Sequence, residues 1–253
     1  MLAALIFFTR LPWWRLGSPP KEDFARVITF FPWVGWFSGG LMAICYWAGS
    51  SLFGPLIGIL FAIISRLLLT GCMHEDGLAD FFDGFGGGHS RDQILTIMKD
   101  SHIGTFGVVS LFCYFATLIA MWYKLAENIS PTWFLAALDP LGRTCSAAIT
   151  LSLPYARDED GSKAKVVYQS LHWHRILISF GGGILPILLL SIFTDFRFLL
   201  SLPVGAIVTA LIARLMIKRI GGYTGDCCGA IFLLSELAAL MFSSSITASM
   251  VVG

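Results

Sequence analysis

Charge is scarce in this sequence: 13% of its residues are Asp, Glu, Lys or Arg, whereas 56% are hydrophobic. The mean hydropathy is +0.77. This composition excludes an ordinary soluble domain and is typical of a polytopic membrane protein. The sequence also lacks a block of basic residues, so nothing indicates a nucleic-acid partner.

The sequence also lacks any cysteine motif for metal binding or redox chemistry. The sequence has six cysteines, most of them in apolar segments, with no CxxC pair and no histidine at zinc-finger spacing. Cys227 and Cys228 are adjacent, which would strain a disulfide between them. We expect all six to be small buried residues. No internal repeat and no long linker divides the chain, which predicts a single membrane-embedded catalytic domain over residues 1–253.

Long apolar runs are what the sequence does contain. A helix needs roughly 20 apolar residues to cross a bilayer, and about seven runs qualify. We therefore predict an all-α, polytopic membrane bundle of about seven transmembrane helices. A short N-terminal run, Leu2 to Phe8, is expected to form an interfacial or re-entrant lead. The predicted spans are 28–50, 54–73, 103–123, 132–153, 176–194, 198–217 and 227–251.

Lys and Arg are distributed unevenly between the two predicted membrane faces. With the N-terminus in the cytoplasm, twelve lie on cytoplasmic segments, and only Lys124 and Arg197 lie on the other face. Positive residues favour the cytoplasmic side. The N-terminus, the acidic segment 74–102 and the segment 218–226 are therefore expected to be cytoplasmic, and the C-terminus to lie outside.

Residues 74–89, HEDGLADFFDGFGGGH, hold four carboxylates and five glycines. If the preceding span continues as a helix, Asp76, Asp80 and Asp83 share one face at spacings i, i+4 and i+7. Three like charges repel each other unless a cation lies among them. Carboxylate oxygens select Mg²⁺, Mn²⁺ or Ca²⁺ over zinc, and Mg²⁺ commonly joins carboxylates to phosphates. A metal site for phosphate chemistry is the prediction; the alternative is a solvated loop at the membrane surface.

The residues around these aspartates are the candidates for substrate binding and proton transfer. His74 is the candidate base, although a lone histidine is more often structural. No Walker A motif is present. Glycines can bring backbone N–H groups close to an anion. The candidate phosphate-binding residues of this region are Gly86, Gly87, Gly88, Arg91, Lys99, Asp100 and His102.

A second acidic motif is GGYTGDCCGAIFLLSE, residues 221–236. Asp226 could simply cap a helix. Glu236, however, lies ten residues into an apolar span, where an isolated charge is costly unless it is paired or faces a cavity. Asp139 and Arg143 raise the same question in span 132–153, but their i, i+4 spacing lets them neutralise each other.

These stretches, with LTGCMHEDGLADFFDGFGGG (69–88), IMKDSHIGTFG (97–107), FFTRLP (7–12) and FPWVGWFSG (31–39), resemble the cobalamin synthase family, adenosylcobinamide-GDP ribazoletransferase. The resemblance runs nearly from end to end. It implies an Mg²⁺-dependent enzyme of the bacterial inner membrane, with Mn²⁺ as an alternative ion. Such an enzyme joins adenosylcobinamide-GDP to α-ribazole or its 5′-phosphate and releases GMP.

Carried onto this sequence, the resemblance implies Asp76, Asp80, Asp83, Asp226 and Glu236 as metal ligands, with Thr224 in the substrate site. His102 departs from the arginine that the family often has there. Phe81 and Phe82 fill a spacer that is often small or polar. The implied partners are the two small-molecule substrates and the lipid bilayer, and a homo-oligomer is compatible with the sequence.

Two other classes fit part of the pattern. A CDP-alcohol phosphotransferase also has an acidic membrane motif, but in its pattern arginine follows the alanine, and here Asp80 follows Ala79. A secondary transporter would explain charges within spans, yet it would not need the aspartate cluster. For the transferase we expect the two acidic motifs to form one site, with the Asp226 carboxylate within about 15 Å of Asp76, as the short bonds of one metal–diphosphate cluster require.

Overall fold

The computed structural model describes residues 1–157 and 173–252. Among these residues the fold is built from α-helices, joined by short loops and 3₁₀ turns. The helices are α1 (Leu2–Phe8), α2 (Lys21–Phe24), α3 (Phe31–Phe53), α4 (Pro55–Thr70), α5 (Met73–Gly87), α6 (Arg91–Ile97), α7 (Thr105–Ala126), α8 (Thr132–Ser152), α9 (Trp173–Phe193), α10 (Ser201–Ile220) and α11 (Gly225–Val252).

Five helices of the described ranges are long and apolar enough to cross a membrane, and a sixth crossing results if the bent pair α4 and α5 counts as one. This agrees with the expected multi-pass bundle of about seven spans. The seventh expected span corresponds to α8, whose buried Asp139 and Arg143 reduce its apolar character. Since most of α8 is covered by other helices, it needs little apolar surface for lipid.

The outer surface of the bundle is apolar. Large side chains such as Trp47, Leu68, Phe112 and Phe193 are 65%, 72%, 74% and 81% exposed. Water-soluble proteins rarely expose continuous apolar patches of this kind. A surface of this composition is suited to contact with lipid chains.

The structure corrects one expectation for the acidic segment. α5 does not continue the preceding span, because the chain turns by 87° between α4 and α5. Two successive residues make this turn in the left-handed conformation, Gly71 (φ 64°) and Cys72 (φ 59°). α4, with 16 residues, is about 24 Å long, shorter than a bilayer core. α5 leaves the axis of α4 at this turn and packs against the starts of α7 and α11.

The segments that were predicted to be cytoplasmic meet at this end of the bundle. The Arg10 amide donates to the Leu69 carbonyl at 2.7 Å, which ties the N-terminal lead to the end of α4. A single β-bridge joins Tyr155 to Tyr223, so the loop after α8 lies against the loop before α11. The expected grouping of residues 74–102 with 218–226 is confirmed by the hydrogen bond from Arg91 to the Ile220 carbonyl.

A buried ion network holds the helices together beneath α5. Arg66 of α4 donates to both carboxylate oxygens of Glu236 in α11, at 2.7 and 2.6 Å, and lies 3.6 Å from Asp139 of α8. Arg143 donates to Asp139 at 2.5 Å, which confirms their pairing. Ser38 of α3 donates to Asp139 at 2.9 Å. Four helices are thus joined by charges that are almost completely buried.

We predict that Glu236→Leu destabilises the protein strongly, because it leaves Arg66 buried without its main partner. Removing one member of a buried ion pair typically costs about 3–5 kcal/mol. The double variant Arg66→Met/Glu236→Leu should regain most of this loss, because it removes both charges. Unfolding in detergent micelles measures both effects.

The matched control is Glu127→Leu, which removes the exposed partner of Lys124 and should change stability by less than about 1 kcal/mol. A double variant no more stable than Glu236→Leu alone would show that Arg66 does not depend on Glu236.

Candidate active site

α5 crosses the start of α11 at a contact between two backbones. A Cβ atom on Gly77 would lie 3.0 Å from the Asp226 carbonyl oxygen and 3.1 Å from the Asp226 Cα. A Cβ on Gly229 would lie 2.9 Å from the His74 carbonyl oxygen. Glycine is required at both places, because any side chain would push the helices apart. The two acidic motifs of the sequence therefore form one contact.

This contact brings Asp226 close to Asp76. Successive Cα atoms are about 3.8 Å apart, so the Asp76 Cα lies within about 9 Å of the Asp226 Cα. α5 is helical throughout its acidic part, so Asp80 lies one turn beyond Asp76 on the same face. We call Asp76, Asp80 and Asp226 the acidic rim.

The members of the acidic rim differ in accessibility. Asp76 is exposed, and its side chain forms no hydrogen bond or ion pair with the rest of the described chain. Asp80 and Asp226 are each 8% exposed and each has partners. A substrate approaching this end of the bundle therefore reaches Asp76 most directly.

Within the ranges 1–157 and 173–252 there is no group of three or more His, Cys, Asp or Glu side chains that could hold a metal ion. An open rim of carboxylates fits Mg²⁺, which is usually bound through one or two carboxylates, water and the phosphates of a substrate.

Asp83 was expected to be the third metal ligand on this face of α5, but the structure gives it a different role. Its two carboxylate oxygens accept hydrogen bonds from the backbone amides of Gly104 and Gly107, at 2.7 and 2.8 Å. These amides belong to the first turn of α7, where a negative charge is favourable. Cβ atoms on Gly104 and Gly107 would approach the Asp83 carboxylate carbon to 2.9 and 3.1 Å. Asp83 thus caps α7. A side chain at position 104 or 107 would collide with the Asp83 carboxylate, which explains why both positions are glycine.

His74 is not placed to act as the expected base. It is 4% exposed, and its ring lies between Phe31 and Phe232, with centroid distances of 5.7 and 4.8 Å. Neither ring nitrogen has a hydrogen-bond partner. The side chain points into the bundle because it lies on the opposite side of α5 from Asp76. A substrate outside the bundle cannot reach it.

The glycine run is helical rather than an anion-binding loop. α5 extends through Gly87 and ends at Gly88, so the amides of this run bond within the helix. A Cβ on Gly86 would lie 2.8 Å from the Phe106 ring, and one on Gly88 would lie 2.6 Å from Ile94. Gly86 and Gly88 therefore permit close packing against α6 and α7. A Cβ on Gly87 would meet only Ile97, at 3.6 Å.

Arg91 serves as a tether. Its guanidinium donates to the carbonyl oxygens of Ala156 at 2.6 Å and Ile220 at 3.2 Å, and contacts Asp92 at 3.3 Å. These contacts hold three loops together at the end of the bundle. The expectation that Arg91 binds a substrate phosphate is therefore replaced by a structural role.

The other predicted residues of this loop are at the surface. Lys99 is exposed and has no described partner for its ammonium group. The imidazole Nδ1 of His102 lies 2.7 Å from an Asp100 carboxylate oxygen. This hydrogen bond raises the pKa of His102 above its ordinary value and lowers the pKa of Asp100.

Thr224 caps α11. Its hydroxyl accepts from the Cys227 amide at 3.3 Å and lies 3.4 Å from an Asp226 carboxylate oxygen. The residue is fully buried, so it supports Asp226 and does not itself meet a substrate. The sequence allowed a role for Asp226 as a helix cap. In the structure, an Asp226 carboxylate oxygen instead lies 3.4 Å from a guanidinium nitrogen of Arg157.

The expected role of Glu236 as a metal ligand is also not what the structure shows. The resemblance implied Glu236 as a metal ligand, and the depth of its charge in a span left either an ion pair or a cavity as the explanation. Arg66 supplies the ion pair. Since Glu236 is 1% exposed and both of its oxygens bond to Arg66, it belongs to the ion network and not to the acidic rim.

Sequence reasoning missed two arginines beside the acidic rim. Arg157 contacts Asp226 and its buried Nε has no partner. Arg10 lies beside the turn into α5, with its guanidinium carbon 3.0 Å from the position of a Cβ on Gly71. Arg10 was present in the FFTRLP stretch, but nothing in the sequence indicated which helix it would meet. Both supply positive charge where a phosphate could bind.

The chain is similar to known proteins over nearly all of its length. The family model for cobalamin-5-phosphate synthase matches residues 1–244. The adenosylcobinamide-GDP ribazoletransferase of Shewanella amazonensis is 34% identical over 248 residues, which cover 95% of this chain and 92% of that protein. The protein of the same name from Vibrio cholerae is 33% identical over 239 residues, covering 93% and 89%. No solved structure gives a significant match.

We predict that Gly77→Ala destabilises the protein by about 1–3 kcal/mol, because the added methyl group forces the α5 backbone away from Asp226. The control is Gly40→Ala in α3, where a Cβ would have no atom within 4 Å. That variant should be neutral or stabilised by up to about 1 kcal/mol. Thermal unfolding in detergent compares the two, and equal melting temperatures would contradict the helix contact.

Proposed function

Since the chain belongs to the cobalamin-5-phosphate synthase family, we propose that it is an adenosylcobinamide-GDP ribazoletransferase that depends on Mg²⁺. It transfers the adenosylcobinamide-phosphate group to α-ribazole or α-ribazole 5′-phosphate and releases GMP. The relatives with this name, which cover nearly the whole chain, support the reaction. The competing CDP-alcohol phosphotransferase is not favoured.

One observation carries the proposal for the site: the glycine contact between α5 and α11 that brings Asp226 to Asp76 and Asp80. Two acidic motifs about 150 residues apart in the sequence meet there. One exposed carboxylate lies beside two that are each 8% exposed, and arginines lie next to this rim. An acidic rim with adjacent cations suits a diphosphate bound through a metal.

One or two carboxylates of the acidic rim (Asp76, Asp80 and Asp226) would hold Mg²⁺ together with the substrate diphosphate, with Mn²⁺ as the alternative. When bound, the cation supplies charge neutralisation for the diphosphate and for the oxygen that leaves with GMP. Asp83 and Glu236 take no part in this proposal, because α7 and Arg66 occupy their oxygens.

The remaining residues bind and orient the substrates. Arg157 and Arg10 flank the acidic rim, and Lys99 extends from the neighbouring loop. Their charges would bind the outer phosphate oxygens and hold the diphosphate in line with the attacking ribose hydroxyl of α-ribazole. A new bond forms between that hydroxyl oxygen and the phosphorus linked to cobinamide, the bond from this phosphorus to the GMP oxygen breaks, and the hydroxyl proton passes to water.

The site lies at the end of the bundle where the segments rich in Lys and Arg meet. We place this end in the cytoplasm of a bacterium and the helices in its inner membrane. The twelve-to-two distribution of Lys and Arg supports that orientation. GDP-linked and phosphorylated substrates would then reach the acidic rim from the cytoplasm, which is where soluble nucleotides are made.

We predict that Asp76→Asn lowers the rate of GMP release by at least about a hundredfold, because it removes a charged ligand with almost no change in volume. Asp226→Asn should also lower the rate, and the two losses should not be additive, since both residues act on one site. The measurement is GMP release by purified protein with adenosylcobinamide-GDP and α-ribazole over a range of Mg²⁺ concentrations.

Asp92→Asn is the control for this experiment. Asp92 is an acidic residue of the same face whose side chain is 89% exposed, and its replacement should leave the rate nearly unchanged. Near-normal GMP release by Asp76→Asn would overturn the assignment of the acidic rim.

We also predict the orientation of the chain. Reporters fused after Lys99 and after Gly253 should report opposite sides of the membrane, the first cytoplasmic and the second external. Both reporters on one side would mean that the number of crossings between them is even and that the proposed topology is wrong.

A further inference from the structure

A second group of cations lies away from the acidic rim, between the N-terminal lead and the first turn of α9. It surrounds a cavity of about 290 Å³. Among the described residues, the polar side chains of the wall are Asp23, Arg26, Thr29, His174 and Arg175. None of these residues belongs to the motifs that support the transferase activity.

The cavity is built by contacts between distant parts of the chain. The Trp33 indole N–H donates to the Ile178 carbonyl at 2.9 Å. The Ser179 hydroxyl donates to the Ile28 carbonyl at 3.5 Å. These contacts hold the start of α9 against the 3₁₀ turn Val27–Phe30 and the start of α3. Arg26 and Arg175, which are 149 positions apart in the sequence, consequently line the same cavity.

Thr29 is the feature of this cavity that points to a ligand. Its side chain is 1% exposed, and its hydroxyl has no hydrogen-bond partner. Buried polar groups are nearly always hydrogen-bonded, so one that faces a cavity without a partner requires an explanation. A ligand atom in the cavity would supply the missing hydrogen bond.

The charges of the cavity indicate the class of ligand. No ion pair or side-chain hydrogen bond joins Arg26 or Arg175 to another residue of the described chain. Asp23 is the carboxylate among the described residues of the wall, so these residues together carry an excess of positive charge. Guanidinium groups match the geometry of phosphate oxygens. The hydroxyl of Thr29 adds a neutral donor from the buried side.

We propose that this cavity binds a phosphate group, separately from the acidic rim. Arg26 and Arg175 neutralise the phosphate, and the Thr29 hydroxyl donates to one of its oxygens. The group belongs either to a phospholipid headgroup, since the cavity lies at the cytoplasmic end of the membrane spans, or to a soluble phosphate compound. Both sources present the same chemistry to the cavity.

The test measures the melting temperature of the full-length protein in dodecyl maltoside micelles. Three additions are compared: phosphatidylglycerol, inorganic phosphate, and a diacylglycerol with the same acyl chains but no phosphate. A ligand that binds only the folded protein raises the melting temperature in proportion to its occupancy. We expect stabilisation by phosphatidylglycerol or by inorganic phosphate and not by diacylglycerol, and the active compound identifies the source.

Two variants locate the effect. In Arg26→Gln/Arg175→Gln, the concentration needed for the same stabilisation should rise by about tenfold or more, because charge-assisted hydrogen bonds are lost. Thr29→Val keeps the volume and removes the hydroxyl, so it should weaken the response as well. Arg15→Gln, which removes an exposed cation outside the cavity, should respond as the unmodified protein does.

Two results would overturn the proposal. The first is the absence of stabilisation by either phosphate compound. The second is an undiminished response in both the double arginine variant and Thr29→Val. Because none of these residues lies at the acidic rim, GMP release by the variants shows independently whether they remain folded and active.

Discussion

The approach of α5 to α11 at Gly77 and Gly229 is the constraint on which the site depends. Helices normally pack at 8–10 Å between axes, and side chains at these positions would hold the two acidic motifs apart. Without them, the backbone of Asp226 touches that of Gly77. The direction of α5, set by the left-handed turn at Gly71 and Cys72, makes this contact possible, because a straight continuation of α4 would carry the aspartates away from the bundle.

The ion network beneath α5 supports this arrangement at a considerable energetic cost. Ions buried in a low-dielectric interior are seldom more stabilising than apolar residues of similar size, so stability alone does not account for Arg66, Arg143, Asp139 and Glu236. Their directional bonds join α3, α4, α8 and α11 in one fixed register. That register determines the positions of the helices against which α5 packs. Apolar side chains, whose contacts are not directional, would allow more than one register.

The sequence predicted the parts of the structure that depend on local spacing. The helical face shared by Asp76 and Asp80 follows from a period of 3.6 residues, and the apolar runs mark the membrane helices. It did not predict the 87° turn, because nothing about Cys72 favours a positive φ. It left an ion pair open as one explanation for Glu236 but did not identify Arg66 as the partner, because Arg66 is 170 residues away. Asp83 was misassigned for a similar reason: its partners are backbone amides, which any sequence contains.

The helical phase of the HEDG stretch has a consequence for how substitutions in it are interpreted. His74 and Glu75 are 4% exposed and point into the bundle, whereas the next residue, Asp76, faces outward. Neither carboxylate oxygen of Glu75 has a hydrogen-bond partner. Three consecutive polar residues thus lie in two different environments, two inside the bundle and one at its surface. A scan that recorded only lost activity would group all three as residues of the exposed site, although the side chains of His74 and Glu75 lie inside the bundle.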